Sequence, residues 1–454
     1  MNMKDKRIKR GMSVGVIAVM VAVSALEVRN VASGGGTANS HDAASSESDK
    51  VAENLAEVIR LVESQSTLRH GTSGLEFAAS GDGYKVVSFA GGQNEVVIPR
   101  THNGLPVIAI DAWAFLYKDL VSISIPDSVT LIGTGAFAGN ALASLTIPNS
   151  VVFIGARAFM ENQLVNVNIP NSVVNIGERA FADNRLTDVD IPRSVAVIGA
   201  GAFEQNYLAR VQLSKGIEII EEWAFAKNRL GSVNIPDSVT VIGAGAFAHN
   251  QLASVHIGSR VAVIEAWAFA DNRLTGIDIP DSVVNIGAGT FVENRLASVH
   301  IGSRVATIGR EAFAGNMLVG VAIPDSVVCL GDWAFADNLL VRVSFGSNIR
   351  VIGVGVFAGN RFTSLSIPSN VVAIGDLAFQ QNQLASVYIP SNVTEIGAWA
   401  FLENRLNRID IPDNIVFVGE GAFAQNLLES VTIPARSANI HANAFGTGVL
   451  VMFK

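Results

Sequence analysis

The sequence predicts one β-dominated repeat solenoid, a right-handed array of about 16 coils of 22 residues with parallel strands. Three observations predict it. Of 23 phenylalanines, 16 recur at an interval of 22 residues, from Phe115 and Phe137 through to Phe445. An asparagine stands three residues after the phenylalanine in 14 of those 16 slots, from Asn140 to Asn426, with Lys118 and Gly448 at the two ends. Between them, from Asn140 onward, the unit reads Asn-x-Leu-x-x-Val-x-Ile-Pro-x-Ser-Val-x-x-Ile-Gly-x-x-Ala-Phe-x-x. A fixed period of this length marks stacked supersecondary units, and 49% apolar against 16% charged residues supplies a large core.

The chain opens as an export signal would. Lys4, Lys6, Arg7, Lys9 and Arg10 precede an uncharged stretch of 16 residues, Gly11 to Leu26, and Val23-Ser24-Ala25 suits small-residue cleavage. Residues 1–25 are therefore predicted to be a signal peptide. Glu27 and Arg29 end the stretch short of the 20 or so apolar residues of a spanning helix, so membrane contact is expected only if this segment stays uncleaved. Its removal takes away five basic residues and Asp5, leaving 27 basic against 39 acidic, net −12. Nucleic acid is not an expected partner of so acidic a chain. Cys329 is the only cysteine, which excludes a disulfide framework and a thiolate zinc cluster.

Residues 26–74, rich in Ser, Ala and Gly, read as a flexible spacer, in which Val51, Leu55, Val58 and Val62 recur at the spacing of a short amphipathic helix. Residues 75–106 precede the regular units, and residues 107–454 form the predicted solenoid. Within a unit, Leu142, Leu145 and Ile147 point inward while Ser144 and Thr146 face out, giving one strand of a parallel sheet per coil. Pro148 ends that strand because it has no N–H to donate. Val151 and Ile154 return as a second apolar segment, and Gly155 permits the next corner. Phe159 should stack on Phe137 and Phe181, and the asparagines should form a ladder of amides satisfying turn backbone.

This unit is leucine-rich-repeat-like and resembles the BspA-like, treponemal-type repeats found in many bacterial surface proteins. The resemblance covers about Val107 to Phe453, and Leu75 to Pro106 looks like the N-terminal cap such arrays carry. One departure is that Asn-x-Leu replaces the more familiar Cys-x-x-Leu, shortening the unit by one residue. The resemblance implies an exported adhesin or host-interaction protein, secreted or at the cell surface, whose partner is a protein or glycan. It brings no catalytic residues and no cofactor.

Two outward columns decorate the predicted strand face. Most of their members are small and polar, but Asp188, Asp190, Arg210, His256, Asp278 and His300 break that monotony and are the candidate ligand-binding residues. His256, Asp278 and His300 share one column on consecutive coils, so they are also the place where zinc ligands or a catalytic pair would be sought. A solvated polar face explains them without either, and no oriented nucleophile accompanies them. A self-associating structural protein is a further alternative to the adhesin. Trp113, Trp223, Trp267, Trp333 and Trp399 all sit two residues before the repeat phenylalanine, in a slot that also holds Arg157, Arg179 and Glu311. Partly exposed edge packing is the plain reading, and stacking on a sugar or anchoring a partner the functional one. Arg185, Arg229, Arg273, Arg295, Arg361 and Arg405 follow the asparagine, often with an acid two residues before, a spacing that predicts local ion pairs.

Overall fold

The computed structural model describes residues 71–434 and 439–454, in which a parallel β-solenoid of about 17 turns repeats every 22 residues or so. Among the described residues there is no helix. The expected signal segment and the amphipathic helix of the spacer lie outside the described residues.

Each coil contributes strands to two sides of the stack, not one. The strands Leu75–Ser80 and Gly83–Phe89 form an antiparallel hairpin, and the second of them lies parallel to Leu105–Ile110. From there Leu131–Ile132, Phe153–Ile154 and their successors as far as Cys329–Leu330 join one 14-stranded sheet, each residue opposite its equivalent one coil on. A five-stranded sheet from Val351–Ile352 to Asn439–Ile440 continues the same side. The opposite side, expected to carry the sheet, is instead broken into pairs such as Asp188–Ile191 with Arg210–Leu213 and Gly276–Ile279 with Ser298–Ile301. The longest ladder therefore belongs to the Val-x-x-Ile segment, where no proline interrupts donation and Gly155 N–H reaches Ile132 O at 2.8 Å.

Between the two sides the phenylalanines form a column. Successive rings from Phe115 to Phe445 lie 5.1–5.8 Å apart and within 15° of parallel. Leu, Val and Ile from both sides close around it with almost no exposure, so one continuous core runs the length of the array. Offset stacking suits the ring quadrupole, and each ring is buried by its two neighbours.

The asparagine ladder has the role its spacing predicts. Asn272 Nδ2 donates to Phe269 O (3.2 Å) and Ala270 O (3.1 Å) of its own coil and to Phe247 O (3.0 Å) of the coil before. Its Oδ1 accepts the Leu252 N–H at 2.9 Å. The same set recurs from Asn140 to Asn426, so turn backbone that neither sheet can satisfy is paired by one short amide per coil.

Two backbone positions in almost every coil are left-handed, one two residues before the phenylalanine and one two residues after it. Trp267 has φ of 56° and Asp271 of 52°. Gly155 lies outside both. A Cβ there would come 2.7 Å from the Gly133 carbonyl carbon, so its glycine is required by the close approach of two coils and not by a turn conformation.

Candidate interaction surfaces

The sequence-predicted face is built by the strands that start two residues after each repeat leucine. Residues pointing out of it, from Ser122 and Ser124 to Ser430 and Thr432, are exposed, apart from half-buried Gly276 and Gly320. The candidate side chains fall into two groups. Arg210 Nη1 lies 2.9 Å from Asp190 Oδ1 and its Nη2 3.8 Å from Asp188 Oδ1, bridging two neighbouring strands. His300 Nδ1 lies 2.7 Å from Asp278 Oδ1, again across one strand step.

His256 is in register with Asn234 on the coil before and faces an open groove of about 520 Å³, lined with Gln212, Lys215, Asp237 and Arg260 among others. The His-Asp-His column thus resolves into one hydrogen-bonded His300–Asp278 pair and one separate imidazole. Among the described residues no three His, Cys, Asp or Glu side chains gather as metal ligands.

Asp237 on the groove wall begins an alternation with a period of two coils that the residue spacing alone did not reveal. Asp237 Oδ1 accepts both the N–H (2.8 Å) and the hydroxyl (2.9 Å) of Ser259, and Asp281 holds Ser303 in the same way. Asp325 accepts the Ser347 N–H at 2.7 Å. The signal was present: 228–271 and 272–315 share Ile-Pro-Asp-Ser-Val followed by Val-His-Ile-Gly-Ser-Arg-Val. His256 and His300 are equivalent positions of that double unit, which accounts for their recurrence.

The serine backbone N–H, then its hydroxyl, hold all three aspartates below the usual carboxylate range. A lowered folded pKa adds stability that is present above the unfolded value and lost as pH falls through the folded one. The Asp237→Ala, Asp281→Ala, Asp325→Ala triple variant should melt below the wild type at pH 7. That gap should close in melting curves taken progressively below the unfolded carboxylate pKa of about 3.9. An unchanged gap at acid pH would deny these bonds a folding role.

The tryptophans lie on a second surface, the edge beside the phenylalanine column. Each has a left-handed backbone, and each is followed one coil later by glycine in the same slot: Gly135, Gly245, Gly289, Gly355 and Gly421. The rings occupy the space that a Cβ on those glycines would need. At Gly245 and Gly421 it would meet Trp223 Cε3 and Trp399 Cδ1 at 2.5 Å. Trp113, Trp267 and Trp399 nevertheless remain 44%, 48% and 41% exposed. A left-handed non-glycine residue costs roughly 1 kcal/mol, less than the burial of half an indole returns at about 25 cal/mol per Å² of apolar surface. The sequence showed the shared slot but not the glycine partner, which becomes visible once consecutive coils are aligned.

The arginines after the asparagine correct an expectation. None of Arg185, Arg229, Arg273, Arg295, Arg361 and Arg405 forms an ion pair among the described residues; Arg229 instead lies over the Tyr207 ring, 4.3 Å from its centre. The acids two residues before them are left-handed, and the buried asparagine separates the two side chains. Asp183 reaches Arg179 (2.9 Å) and Asp271 reaches His249 (3.3 Å).

Residues 108–231, 218–342 and 330–448 each match the model of the BspA type leucine rich repeat region, in a form of 6 copies. The chain belongs to this BspA-type family. One solved structure agrees with the fold. A leucine-rich repeat protein from Bacteroides ovatus is 19% identical, with 84% of this chain and 99% of that one covered and a TM-score of 0.59. A leucine rich cell surface protein from Faecalibacterium prausnitzii is 24% identical over 84% of this chain and 94% of its own, with a TM-score of 0.45. The pneumococcal vaccine antigen PcpA is 16% identical over 85% and 99%, with a TM-score of 0.47. No curated protein sequence matches significantly.

Proposed function

We propose that this BspA-type chain is an exported, surface-exposed or secreted protein without catalytic activity that binds a protein partner across the strand face of its solenoid. The observation that carries this reading is the pair of largely exposed columns on a regular backbone, with charges set among small polar residues where Arg210 meets Asp188 and Asp190 and where His300 meets Asp278. Repetition sets weak polar contacts in a row, so that they add over several coils without any enclosed pocket. The layout of residues 1–25 and family membership support export.

The test is capture of matrix and cell-surface proteins on an array by the full chain. For a captured protein, Asp188→Asn, Arg210→Gln and Asp278→Asn should each weaken binding roughly two- to fivefold, the scale of an exposed ion pair. The triple variant should lose more than any single one. Unchanged affinity in the triple variant would place the contact elsewhere.

A further inference from the structure

The tryptophan edge supports an inference independent of the strand face. Trp223 and Trp267 stand two coils apart with Gly245 between them, and Trp267, Trp333 and Trp399 follow at three-coil intervals. Every interval is a whole number of coil steps, each about the 5.5 Å that separates Phe225, Phe247 and Phe269. An extended β-1,4-linked pyranose chain advances by close to one such step per sugar. A chain lying along the solenoid would therefore set one sugar over each coil, and every indole would fall under a ring instead of a linkage.

The surroundings fit that ligand. A pyranose offers an apolar face of axial C–H groups that packs on an indole, and each indole here is backed on the coil that follows by a glycine that adds no side chain beyond it. The strip beside the tryptophans is mostly apolar, with Ala248, Ala270, Ala336 and Ala358 buried and Val292, Gln380 and Leu402 half-buried between the rings and the next row. That row, four residues on from each tryptophan slot, is exposed and rich in acceptors: Asp271 and Glu293 beside Trp267, Glu403 and Gln425 beside Trp399. Carboxylates and amides at the margin of an aromatic strip are suited to accept from equatorial hydroxyls.

We infer that this edge is a second binding site, for an extended β-1,4-linked polysaccharide of the glucose or N-acetylglucosamine type. The exposure of Trp113, Trp267 and Trp399 supports the inference, because glycine serves the same slot in six coils with no side chain at all. The slot also provides a clean variant, since Trp267→Gly and Trp399→Gly restore the residue that the backbone favours.

The full chain should be titrated with cellohexaose and with chitohexaose while tryptophan fluorescence is followed. At least one hexamer should bind, and which one does identifies the sugar type. Its dimer should bind at least tenfold more weakly, because no two of the tryptophans stand on adjacent coils. The Trp267→Gly, Trp399→Gly double variant should lose at least tenfold in affinity while keeping the wild-type melting temperature. Trp267→Leu, Trp399→Leu should lose as much, Leu377 showing that the slot accepts leucine. Asp188→Asn, Arg210→Gln, Asp278→Asn should bind sugar as the wild type does, which separates this site from the strand face. No binding of either hexamer at millimolar concentration would overturn the inference, as would equal affinity for a β-1,3-linked hexamer or undiminished binding by both double variants.

Discussion

Replacing Phe269 with alanine should cost about 3–5 kcal/mol of folding stability, the range for a fully buried aromatic truncated to a methyl. The ring has no exposed surface and lies 5.5 Å from both Phe247 and Phe291, so the truncation removes two stacked contacts together with the burial. Because coils contact only their neighbours, the damage should stay local and weaken the coupling of the two halves of the array. Urea denaturation of the variant should then begin earlier and lose sharpness. A loss under about 1 kcal/mol would mean that the column is not the core.

Asn272→Ala should be nearly as damaging, by about 3 kcal/mol, although it removes few apolar contacts. It strands the Leu252 N–H, a buried donor whose loss of a partner costs on the order of 1–3 kcal/mol, and takes one of two donors from each of three carbonyls that Asn250, Asn294 and the His249 N–H continue to serve. Asn272→Asp is the sharper test. The carboxylate keeps the acceptor for Leu252 but turns its second oxygen towards three carbonyl oxygens. The Asp variant should therefore be at least as unstable as the Ala variant at pH 7 and should recover partly when acid restores a proton to donate. Equal stability of wild type and Asp variant in a thermal melt would remove the ladder from the account.

Both ladders are legible in the amino-acid sequence, because a residue needed once per coil leaves an exact period in the chain. Phe269 and Asn272 announce themselves by recurrence at 22 residues, and Ser144 or Thr146 by their alternation with buried neighbours. What the sequence hides is conformational. The left-handed backbone at Trp267 is imposed by the coil whatever residue fills it, so tryptophan, glycine, arginine and glutamate alternate there without a propensity signal. The misplaced expectation of ion pairs at Arg185 and Arg273 has the same origin, since two residues of spacing says nothing of direction when the acid is left-handed and a buried side chain lies between. The longer sheet escapes a reading of the sequence because a two-residue strand such as Phe153–Ile154 is too short to alternate. Its length comes from stacking, not from sequence along one coil.

The central claim is that the strand face binds over several coils while the ladders beneath it hold the fold. Oxidative footprinting of the full chain, with and without a captured protein partner, tests it most directly. Protection is expected to spread over outward side chains from Asp188 to His300, with Phe269 and its neighbours unreactive in both states. Protection confined to residues 26–106, with the strand face equally reactive in both states, would make the solenoid a stalk and contradict the account.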